Sequence, residues 1–282
     1  MVKKQAQDRI AVITGAGGTL CSEMARCLAK QGIKVALLGR TLNKLKAVEE
    51  QINQLGGVAK SYAVDVTSEE DIRSIGLEIQ SMWGGINILI NGAGGNEVNA
   101  ITTVDEFEPM ELEGNPGDLK GFFNLDMSAF DRVLEINTMG TVIPCKIFGH
   151  IMAQGGGGSI INIASMNSYR PLSRVGAYAM AKAGIENFTK WLAAYLAPAG
   201  IRVNGIAPGF FLNEKSKKRL TNEDGTLKER GTRIMSHTPM KKFGESEQLT
   251  GCLTWLIDDE ASGFVTGVTV PVDGGFLSSS GV

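Results

Sequence analysis

Short apolar runs alternate with amphipathic segments along the first part of the chain. Apolar runs at residues 9–14, 34–38 and 58–64 have the length of buried strands. Between them, residues 19–31 and 41–55 carry apolar side chains at the three- and four-residue spacing of a helix that packs on one face. Strands that alternate with helices over short connections indicate a parallel, doubly wound sheet.

The same alternation continues to the end of the chain. We therefore predict one α/β domain, residues 1–282, with a Rossmann-like doubly wound parallel sheet flanked by helices and with no internal repeat. A helix at 128–154 contains Asn137, Gly140 and Pro144, and we expect these residues to interrupt it. The other elements are a helix from residue 68, strands at 86–90, 159–164, 201–207 and 268–272, and helices at 175–197 and 245–258.

Two segments depart from this periodicity, at about 96–126 and at 213–243, and are predicted to be loop insertions. A long irregular segment inside a compact domain is usually a lid or a binding loop. A disordered insertion is the alternative for 96–126, but Phe107, Phe122 and Phe123 argue against it because disordered segments contain few aromatic residues. The second segment carries a basic run that we expect to be solvated, namely Lys215, Lys217, Lys218 and Arg219.

Composition and charge exclude several classes of partner. The formal net charge of -2 gives no overall basic field, so nucleic acid is not an expected partner. No stretch approaches the roughly 18 apolar residues that a membrane helix requires. The four cysteines lie in apolar segments without metal-ligand spacing, so we expect reduced, buried thiols and no metal site. A cytoplasmic location follows as the expectation.

Glycine-rich turns follow two of the predicted strands. The first contains Gly15, Gly17 and Gly18 and leads into a helix, which is the arrangement that aims backbone N–H groups and a helix N-terminus at a pyrophosphate. The second, at 91–95, follows the fourth strand. In open α/β sheets, ligands bind beyond the carboxyl ends of the strands, and both turns lie at that edge. The two turns together predict a dinucleotide site.

Three residues at the same edge predict proton transfer. Ser165 follows a strand, and Tyr178 and Lys182 stand one helical turn apart. A tyrosine transfers protons near neutral pH only if its pKa falls from about 10. A positive charge about 4 Å away contributes on the order of 4 kcal/mol at an effective dielectric constant near 20, and Lys182 is spaced to supply it. With Ser165 holding a carbonyl or alkoxide oxygen, the site predicts hydride transfer at a carbon that bears oxygen.

These motifs occur in the order and spacing of a known family. From about residue 8 to residue 275, the sequence resembles the short-chain dehydrogenase/reductase family. The motifs that carry the resemblance are the turn at 14–18, Asp65, the turn at 91–94, Asn137, Ser165, Tyr178 with Lys182, and Pro208 with Gly209.

The resemblance implies a role for each matching residue. Tyr178 would be the acid and base, Ser165 the partner of the substrate oxygen, Lys182 the activator of Tyr178, and Asn137 the residue that holds a relay water. It also implies a homotetramer built on the helices at 128–154 and 175–197. The implied cofactor-binding residues are Gly15, Gly17, Gly18, Thr19, Leu20, Arg40, Thr41, Asp65, Val66, Asn91, Gly92, Ala93, Tyr178, Lys182, Pro208 and Gly209.

The end of the second strand bears on the choice of cofactor. An acidic residue there would bind the ribose 2′-hydroxyl of NAD, whereas an arginine pairs with the 2′-phosphate of NADP. Arg40 and Thr41 stand at this position, so NADP is favoured over NAD. Stacking of Arg40 on the adenine, without discrimination between the two cofactors, is the alternative.

The sequence departs from the family pattern at two places. The family has glycines where Thr19 and Cys21 stand, which implies a bulkier pyrophosphate turn. Phe211, Leu212 and Asn213 occupy the region where a threonine often contacts the nicotinamide carboxamide, so that contact is not assigned.

A narrower resemblance concerns the substrate. Residues 18–21, 90–96, 163–167, 207–211 and 237–241 resemble the bacterial D-mannonate oxidoreductase (fructuronate reductase) branch of the family. It implies interconversion of D-mannonate and D-fructuronate, a sugar-acid pair. The alternatives are a gluconate 5-dehydrogenase-like or 3-oxoacyl reductase-like dehydrogenase, and a non-enzymatic dinucleotide sensor, which the intact Ser/Tyr/Lys set disfavours. Candidate substrate-binding residues are Asn96, Asn167 and Arg174, with Arg170, Lys120 and His237 as further candidates by position.

Overall fold

Seven parallel strands form one sheet in the computed structural model, which describes residues 9–113, 117–212 and 214–279. Across the sheet, the strand order numbered along the chain is 3-2-1-4-5-6-7, so the direction of winding reverses between the first and fourth strands. Ligands bind at this switch point in open α/β sheets. The strands are β1 (Ile10–Thr14), β2 (Lys34–Gly39), β3 (Ala59–Ala63), β4 (Ile88–Asn91), β5 (Gly158–Ile163), β6 (Ile201–Pro208) and β7 (Thr269–Val272).

Helices cover both faces of the sheet and confirm the predicted α/β fold class. Alternate residues of β1 belong to different hydrophobic clusters, Ala11 and Ile13 on one face and Ile10 and Val12 on the other. A strand buried on both faces therefore reads as one continuous apolar run. The helices are α1 (Thr19–Lys30), α2 (Leu42–Gln54), α3 (Glu69–Trp83), α4 (Met127–Gln154), α5 (Gly176–Leu196), α6 (Glu214–Leu220), α7 (Glu229–His237) and α8 (Thr250–Ile257).

The predicted interruption of α4 is wrong, because the helix runs unbroken for 28 residues. The Asn137 amide does not compete with the helix: it donates to the Val133 carbonyl one turn earlier, at 2.8 Å, and to a neighbouring loop. Gly140 admits a close contact, since a Cβ there would lie 2.9 Å from the Val66 side chain. Buried apolar residues on both sides of Pro144 hold the helix against the sheet.

The segment at 213–243 is not the irregular loop that its polarity predicts, because it contains α6 and α7. The two helices are short and mostly polar, but Leu220 and Ile234 are buried. A Cβ on Gly231 would lie 2.5 Å from the Leu220 carbonyl oxygen, so glycine permits the close approach of α7 to α6. The basic side chains at 217–219 are exposed, as expected, while Asn213 and the side chain of Lys215 lie outside the described part of the structure.

The segment at 96–126 is largely irregular, with short 3-10 turns at Val98–Ala100 and Pro109–Leu112. Its anchor is Glu111, a buried carboxylate that accepts hydrogen bonds from the backbone N–H groups of Glu108 and Phe123. The Phe123 ring also contacts neighbouring aromatic rings at centroid distances of 6.1 and 5.6 Å. Residues 114–116 of the predicted insertion lie outside the described part. Its role as a lid stays a prediction.

The structure bears on the predictions for the cysteines and for a membrane helix, but it does not test the predicted assembly. All four cysteines are free thiols, Cys21 and Cys145 fully buried and Cys27 and Cys252 partly so. Within residues 9–113, 117–212 and 214–279, no helix is long and apolar enough to cross a membrane. The homotetramer stays a prediction, although α5 exposes the stacked rings of Trp191 and Tyr195 on a helix where the interface is expected.

Candidate active site

The two glycine turns meet at the switch point between β1 and β4. The Thr14 hydroxyl, fully buried at the end of β1, accepts hydrogen bonds from the N–H groups of Gly92 and Ala93, both at 3.1 Å. Gly15 has a φ of 66°, and a Cβ on it would lie 2.6 Å from the Gly92 carbonyl oxygen. Only glycine therefore fits where the first turn passes the second.

The N-terminus of α1 is open for an anion. Gly18 caps the helix without a side-chain hydrogen bond, and the first turn contains no acidic residue. Gly18 and Thr19 are exposed, and Gly17 and Leu20 partly exposed. The free backbone N–H groups and the positive end of the helix dipole are the features that bind a pyrophosphate. The glycine turn leaves a space that larger side chains would fill, and this space fits the pyrophosphate of a bound dinucleotide.

Cys21 occupies the position where the family pattern has a glycine, yet its side chain does not enlarge the pyrophosphate turn as predicted. It points inward, where a Cβ on Gly92 would lie only 2.1 Å from its Sγ atom. Burial raises the pKa of this thiol to about 12, so it is an uncharged packing group. Cys21 and Gly92 therefore form a complementary pair that joins α1 to the second glycine turn.

The Gly92→Ala variant is expected to lower the free energy of unfolding by about 1–3 kcal/mol, the usual cost of overpacking a core. Cys21→Ala removes the Sγ atom that causes the clash, so the double variant should recover most of this loss. Denaturant unfolding of the four proteins measures the coupling. If the two single losses simply add in the double variant, the pair is not complementary.

The adenine side of the cleft lies at the ends of β2 and β3. Asp65 accepts hydrogen bonds from the backbone N–H and the hydroxyl of Thr67, at 3.0 and 2.8 Å. These bonds, with a smaller contribution from Arg40, lower the pKa of the carboxyl group, which is therefore ionised and fixed in orientation. Arg40 and Thr41 are exposed, and Val66 is buried. These four of the predicted cofactor-binding residues thus lie together at one end of the cleft.

The end of β6 carries Pro208 and, directly after it, Gly209, where the family resemblance places the nicotinamide. Pro208 pairs with Val272 of β7, and the Gly209 N–H donates to the Val272 carbonyl at 2.9 Å. A Cβ on Gly209 would lie 2.6 Å from the Cα atom of Asp273, which explains glycine at this turn. Phe211 then forms an isolated parallel β-bridge with Gly244.

Ser165 and Tyr178 lie together beyond the end of β5. Ser165 Oγ accepts hydrogen bonds from the backbone and side-chain amides of Asn167, at 3.2 and 3.4 Å. Because both of these bonds use its lone pairs, its one proton is directed away from Asn167, toward the Tyr178 hydroxyl or a substrate oxygen. The Ser165 hydroxyl also forms a hydrogen bond with the Tyr178 hydroxyl, and this bond lowers the pKa of Tyr178.

Lys182 lies one turn after Tyr178 on α5 and is 5 % exposed. Its ammonium group donates to the Ile163 carbonyl at 2.7 Å and lies 5.6 Å from the centre of the Tyr178 ring. Burial lowers the pKa of this group to about 8. The site therefore holds a positive charge at neutral pH that is lost in mildly alkaline solution.

The predicted lowering of the Tyr178 pKa by Lys182 is not observed in this structure. Burial is the largest effect on the phenol and raises its pKa, and Ser165 offsets this only in part. The prediction considered the spacing of the two residues and not the desolvation of the phenol. Tyr178 is thus protonated at neutral pH, the state required of an acid that donates to a carbonyl oxygen.

Asn137 connects α4 to the second glycine turn. Its amide donates to the Gly95 carbonyl at 2.7 Å, and its oxygen accepts from the Gly95 N–H at 3.2 Å. A Cβ on Gly94 would lie 2.4 Å from the Asn137 oxygen and 3.7 Å from the Lys182 nitrogen. Asn137, Gly94 and Lys182 therefore enclose one small space, consistent with the implied relay.

The side chain of Asn91 does not point toward the glycine turn but into the sheet. Its amide donates to Cys145 Sγ and to Asn162 inside the sheet, at 3.1 and 2.9 Å. Asn162 continues this network to the Thr189 hydroxyl at 2.9 Å. The side chain of Asn91 thus supports the turn from below, and only its backbone lies at the turn.

The predicted substrate ligands are mostly engaged in loop contacts. Asn167 is buried and binds Ser165 and the Leu172 N–H, while the Asn96 side chain accepts from the next backbone N–H. Arg174 pairs with Asp105. Of the further candidates, Lys120 and Arg170 donate to backbone carbonyls, and His237 contacts its own helix. Sequence reasoning missed two other cations, Arg230 and Arg233, because α7 was predicted as loop.

The fold and site together define a nicotinamide-dinucleotide oxidoreductase that acts on alcohol and carbonyl groups. A cradle for pyrophosphate lies at the switch point, and a protonated tyrosine with a buried lysine lies at the nicotinamide end. The family model for short chain dehydrogenases matches residues 9–224, and the chain belongs to that family. Members bind NAD or NADP. Among the described residues, no three or more His, Cys, Asp or Glu side chains are grouped as metal ligands.

Similar proteins cover nearly the whole chain. An uncharacterized oxidoreductase, UxuB, of Bacillus subtilis (strain 168) is 45% identical over 274 residues, which are 97% of this chain and 96% of the relative. A proposed D-mannonate oxidoreductase of Haemophilus influenzae with bound NAD is 41% identical, with a TM-score of 0.92 over 99% of this chain and 100% of that one. A gluconate 5-dehydrogenase of Burkholderia cenocepacia with NADP and tartrate is 27% identical, with a TM-score of 0.80 over 96% of each chain.

Proposed function

We propose that the protein interconverts D-mannonate and D-fructuronate by hydride transfer with a nicotinamide dinucleotide. The observation that carries this proposal is the similarity, over 99% of the chain, to the Haemophilus influenzae protein. The site agrees with the reaction, since Ser165 and Tyr178 present two hydroxyl protons at one edge of the sheet.

The residues divide the work of reduction as follows. Bound NAD(P)H supplies the hydride. Ser165 donates a hydrogen bond to the keto oxygen and orients it, while Tyr178 delivers the proton that the new alkoxide requires. The charge on Lys182 stabilises the tyrosinate that remains, and Asn137 holds the adjoining loop so that the proton can be replaced. Oxidation of the alcohol runs through the same groups in reverse.

A gluconate 5-dehydrogenase-like activity is the second candidate. It is supported by the similarity to the Burkholderia cenocepacia enzyme, although at 27% identity this similarity is lower than that to the Haemophilus influenzae protein. Both candidate substrates are sugar acids with the keto group at the same carbon, so they differ in the configuration at C2, next to the carboxylate, and not in charge.

The test is a steady-state screen that follows NADH and NADPH oxidation. Its panel contains D-fructuronate, 5-keto-D-gluconate, the neutral ketose D-fructose and a 3-oxoacyl thioester. We expect the largest kcat/KM for D-fructuronate. A larger value for 5-keto-D-gluconate would favour the second candidate, and a larger value for the thioester would refute a sugar-acid substrate.

We propose NADP as the preferred cofactor, supported by the exposed Arg40 at the end of β2, while the Haemophilus influenzae relative holds NAD. The Arg40→Ala variant is expected to lose about tenfold or more in kcat/KM for NADPH and little for NADH, because only the former carries the phosphate. Parallel kinetics with the two cofactors measure the difference. Equal losses would show that Arg40 stacks on the adenine, and no loss would exclude both roles.

A further inference from the structure

A cationic cleft lies beside the catalytic residues, and none of the predicted cofactor-binding residues lines it. Its volume is about 180 Å³. One wall is α7, which contributes Arg230, Arg233 and His237, and the opposite wall contains Leu172, Phe210 and Phe276. The cleft is therefore apolar on one side and basic on the other, as suits a ligand with a carbon chain and an anionic end.

Two connections place this cleft at the reaction centre. The Leu172 N–H donates to the Asn167 side chain at 2.9 Å, and Asn167 in turn donates to Ser165 Oγ. Phe210 directly follows Gly209, at the turn assigned to the nicotinamide. The walls of the cleft thus continue from the residue that holds the keto oxygen and from the turn beside the hydride donor.

Positive charges outnumber negative charges at the cleft. Asp105 binds both Arg174, at 2.5 Å, and Arg233, at 3.1 Å, and these contacts lower the pKa of its carboxyl group to about 2. Arg230 has no ion pair among the described residues. Its guanidinium is near Arg174, Arg219 and Arg233. Desolvation is the largest effect on its pKa and lowers it, the three neighbouring positive charges lower it further, and the Asp105 carboxylate raises it.

A surface that places three other arginines near Arg230, with one opposing carboxylate, is stabilised by a further anion. Arg174 and Arg233 already share Asp105, whereas Arg230 lines the cleft and forms no ion pair or hydrogen bond through its guanidinium within residues 9–113, 117–212 and 214–279. A guanidinium binds a carboxylate through two parallel hydrogen bonds, which fixes both position and orientation.

We propose that Arg230 binds the carboxylate of the substrate and thereby selects sugar acids over neutral sugars. The proposal rests on the proposed function and names the residue that recognises its substrate class. Arg233 and Arg174, held by Asp105, position the wall around it. Selection of the substrate charge thus resides on α7, whereas the chemistry resides on α5 and at the end of β5.

The Arg230→Met variant tests this proposal with a matched pair of substrates. D-Fructose carries a CH2OH group where D-fructuronate carries its carboxylate, and the keto group is the same. We expect kcat/KM for D-fructuronate to fall about 10- to 100-fold, mainly through KM, because a hydrogen-bonded charge pair is lost. The value for D-fructose should change less than threefold. Equal losses for both substrates would show a merely structural role and overturn the proposal.

Arg219→Met is the control, since Arg219 belongs to the same charge cluster but does not line the cleft. It should retain at least a third of the wild-type kcat/KM for D-fructuronate. A loss as large as that of Arg230→Met would show that the overall field, and not a bound carboxylate, is responsible.

Failure of the proposed function gives a different result. The wild type would then reduce a neutral ketone but no hexuronate, and inhibition of that reaction by D-mannonate tests the arginine separately. Inhibition that is at least tenfold weaker in Arg230→Met would support the carboxylate site. Equal inhibition of the two proteins, or none in the wild type, would overturn it.

Discussion

Replacement of Tyr178 by phenylalanine is expected to lower kcat for carbonyl reduction by about 10²- to 10⁴-fold, the range that a positioned general acid contributes. The ring packs against a small hydrophobic cluster that includes Val133 and Ala177, so phenylalanine preserves the local structure and removes only the proton donor. The hydroxyl is the group that interacts with Ser165.

Steady-state reduction of D-fructuronate measures this effect, and titration of NADPH fluorescence shows whether cofactor binding survives. Tyr195→Phe is the matched control, because Tyr195 lies on the same helix but faces solvent. The control should keep wild-type turnover. Undiminished turnover in Tyr178→Phe would refute the proposed proton transfer.

The Lys182→Met variant is expected to lose at least about 100-fold in kcat/KM. At pH 7 it should nevertheless be more stable than the wild type, with a larger free energy of unfolding. The activity falls because the charge beside Tyr178 disappears. In the wild type, kcat/KM for reduction should decline as pH rises above about 8, where Lys182 loses its proton. This decline should be absent from the residual activity of the variant.

The gain in stability follows from the pKa of Lys182. Burial lowers that pKa from 10.5 to about 8, so the unfolded chain binds more protons between these values and wild-type stability rises with pH across this window. Below pH 8 the buried charge costs roughly 3 kcal/mol, at 1.36 kcal/mol per pKa unit. Loss of the hydrogen bond to Ile163 offsets about 1 kcal/mol, which leaves a net gain near 2 kcal/mol.

Denaturant unfolding at pH 7 and pH 10 tests the sign. The variant should be more stable at pH 7, and its advantage should shrink at pH 10, where the wild-type lysine is neutral in the folded protein. A variant that is less stable at both pH values would show that the buried charge is fully compensated in the native state.

Much of the fold could be predicted because its signals are local. Buried parallel strands are continuous apolar runs, and the two glycine turns occur where one backbone must pass another, as at Gly15 and Gly92. The positions of Ser165, Tyr178 and Lys182 followed from strand ends and helical spacing. These features depend on a few neighbouring residues, so the sequence displays them directly.

The features that could not be predicted depend on tertiary contacts. Asn137 leaves α4 intact because its amide finds partners on a distant loop, and α7 forms because Ile234 is buried. The inward direction of Cys21 and the raised pKa of Tyr178 depend on what surrounds each side chain in the folded protein. Composition and spacing alone reveal neither the hydrogen-bond partner of a side chain nor the extent of its burial.

The cationic cleft was hidden for the same reason. Arg230 and Arg233 lie three residues apart in a polar segment, a spacing that has meaning only once the segment is helical. Their partner Asp105 lies in the other insertion. The two segments with the weakest periodicity therefore contribute the residues that we assign to substrate recognition.

The most direct test of the central claim is a product analysis with deuterium-labelled NADPH and D-fructuronate. We predict that the wild type forms D-mannonate with one deuterium on the new carbinol carbon, and that Tyr178→Phe forms almost none. Formation of unlabelled product, or reduction of a neutral carbonyl with no reaction of D-fructuronate, would contradict the proposal that this protein is a sugar-acid oxidoreductase.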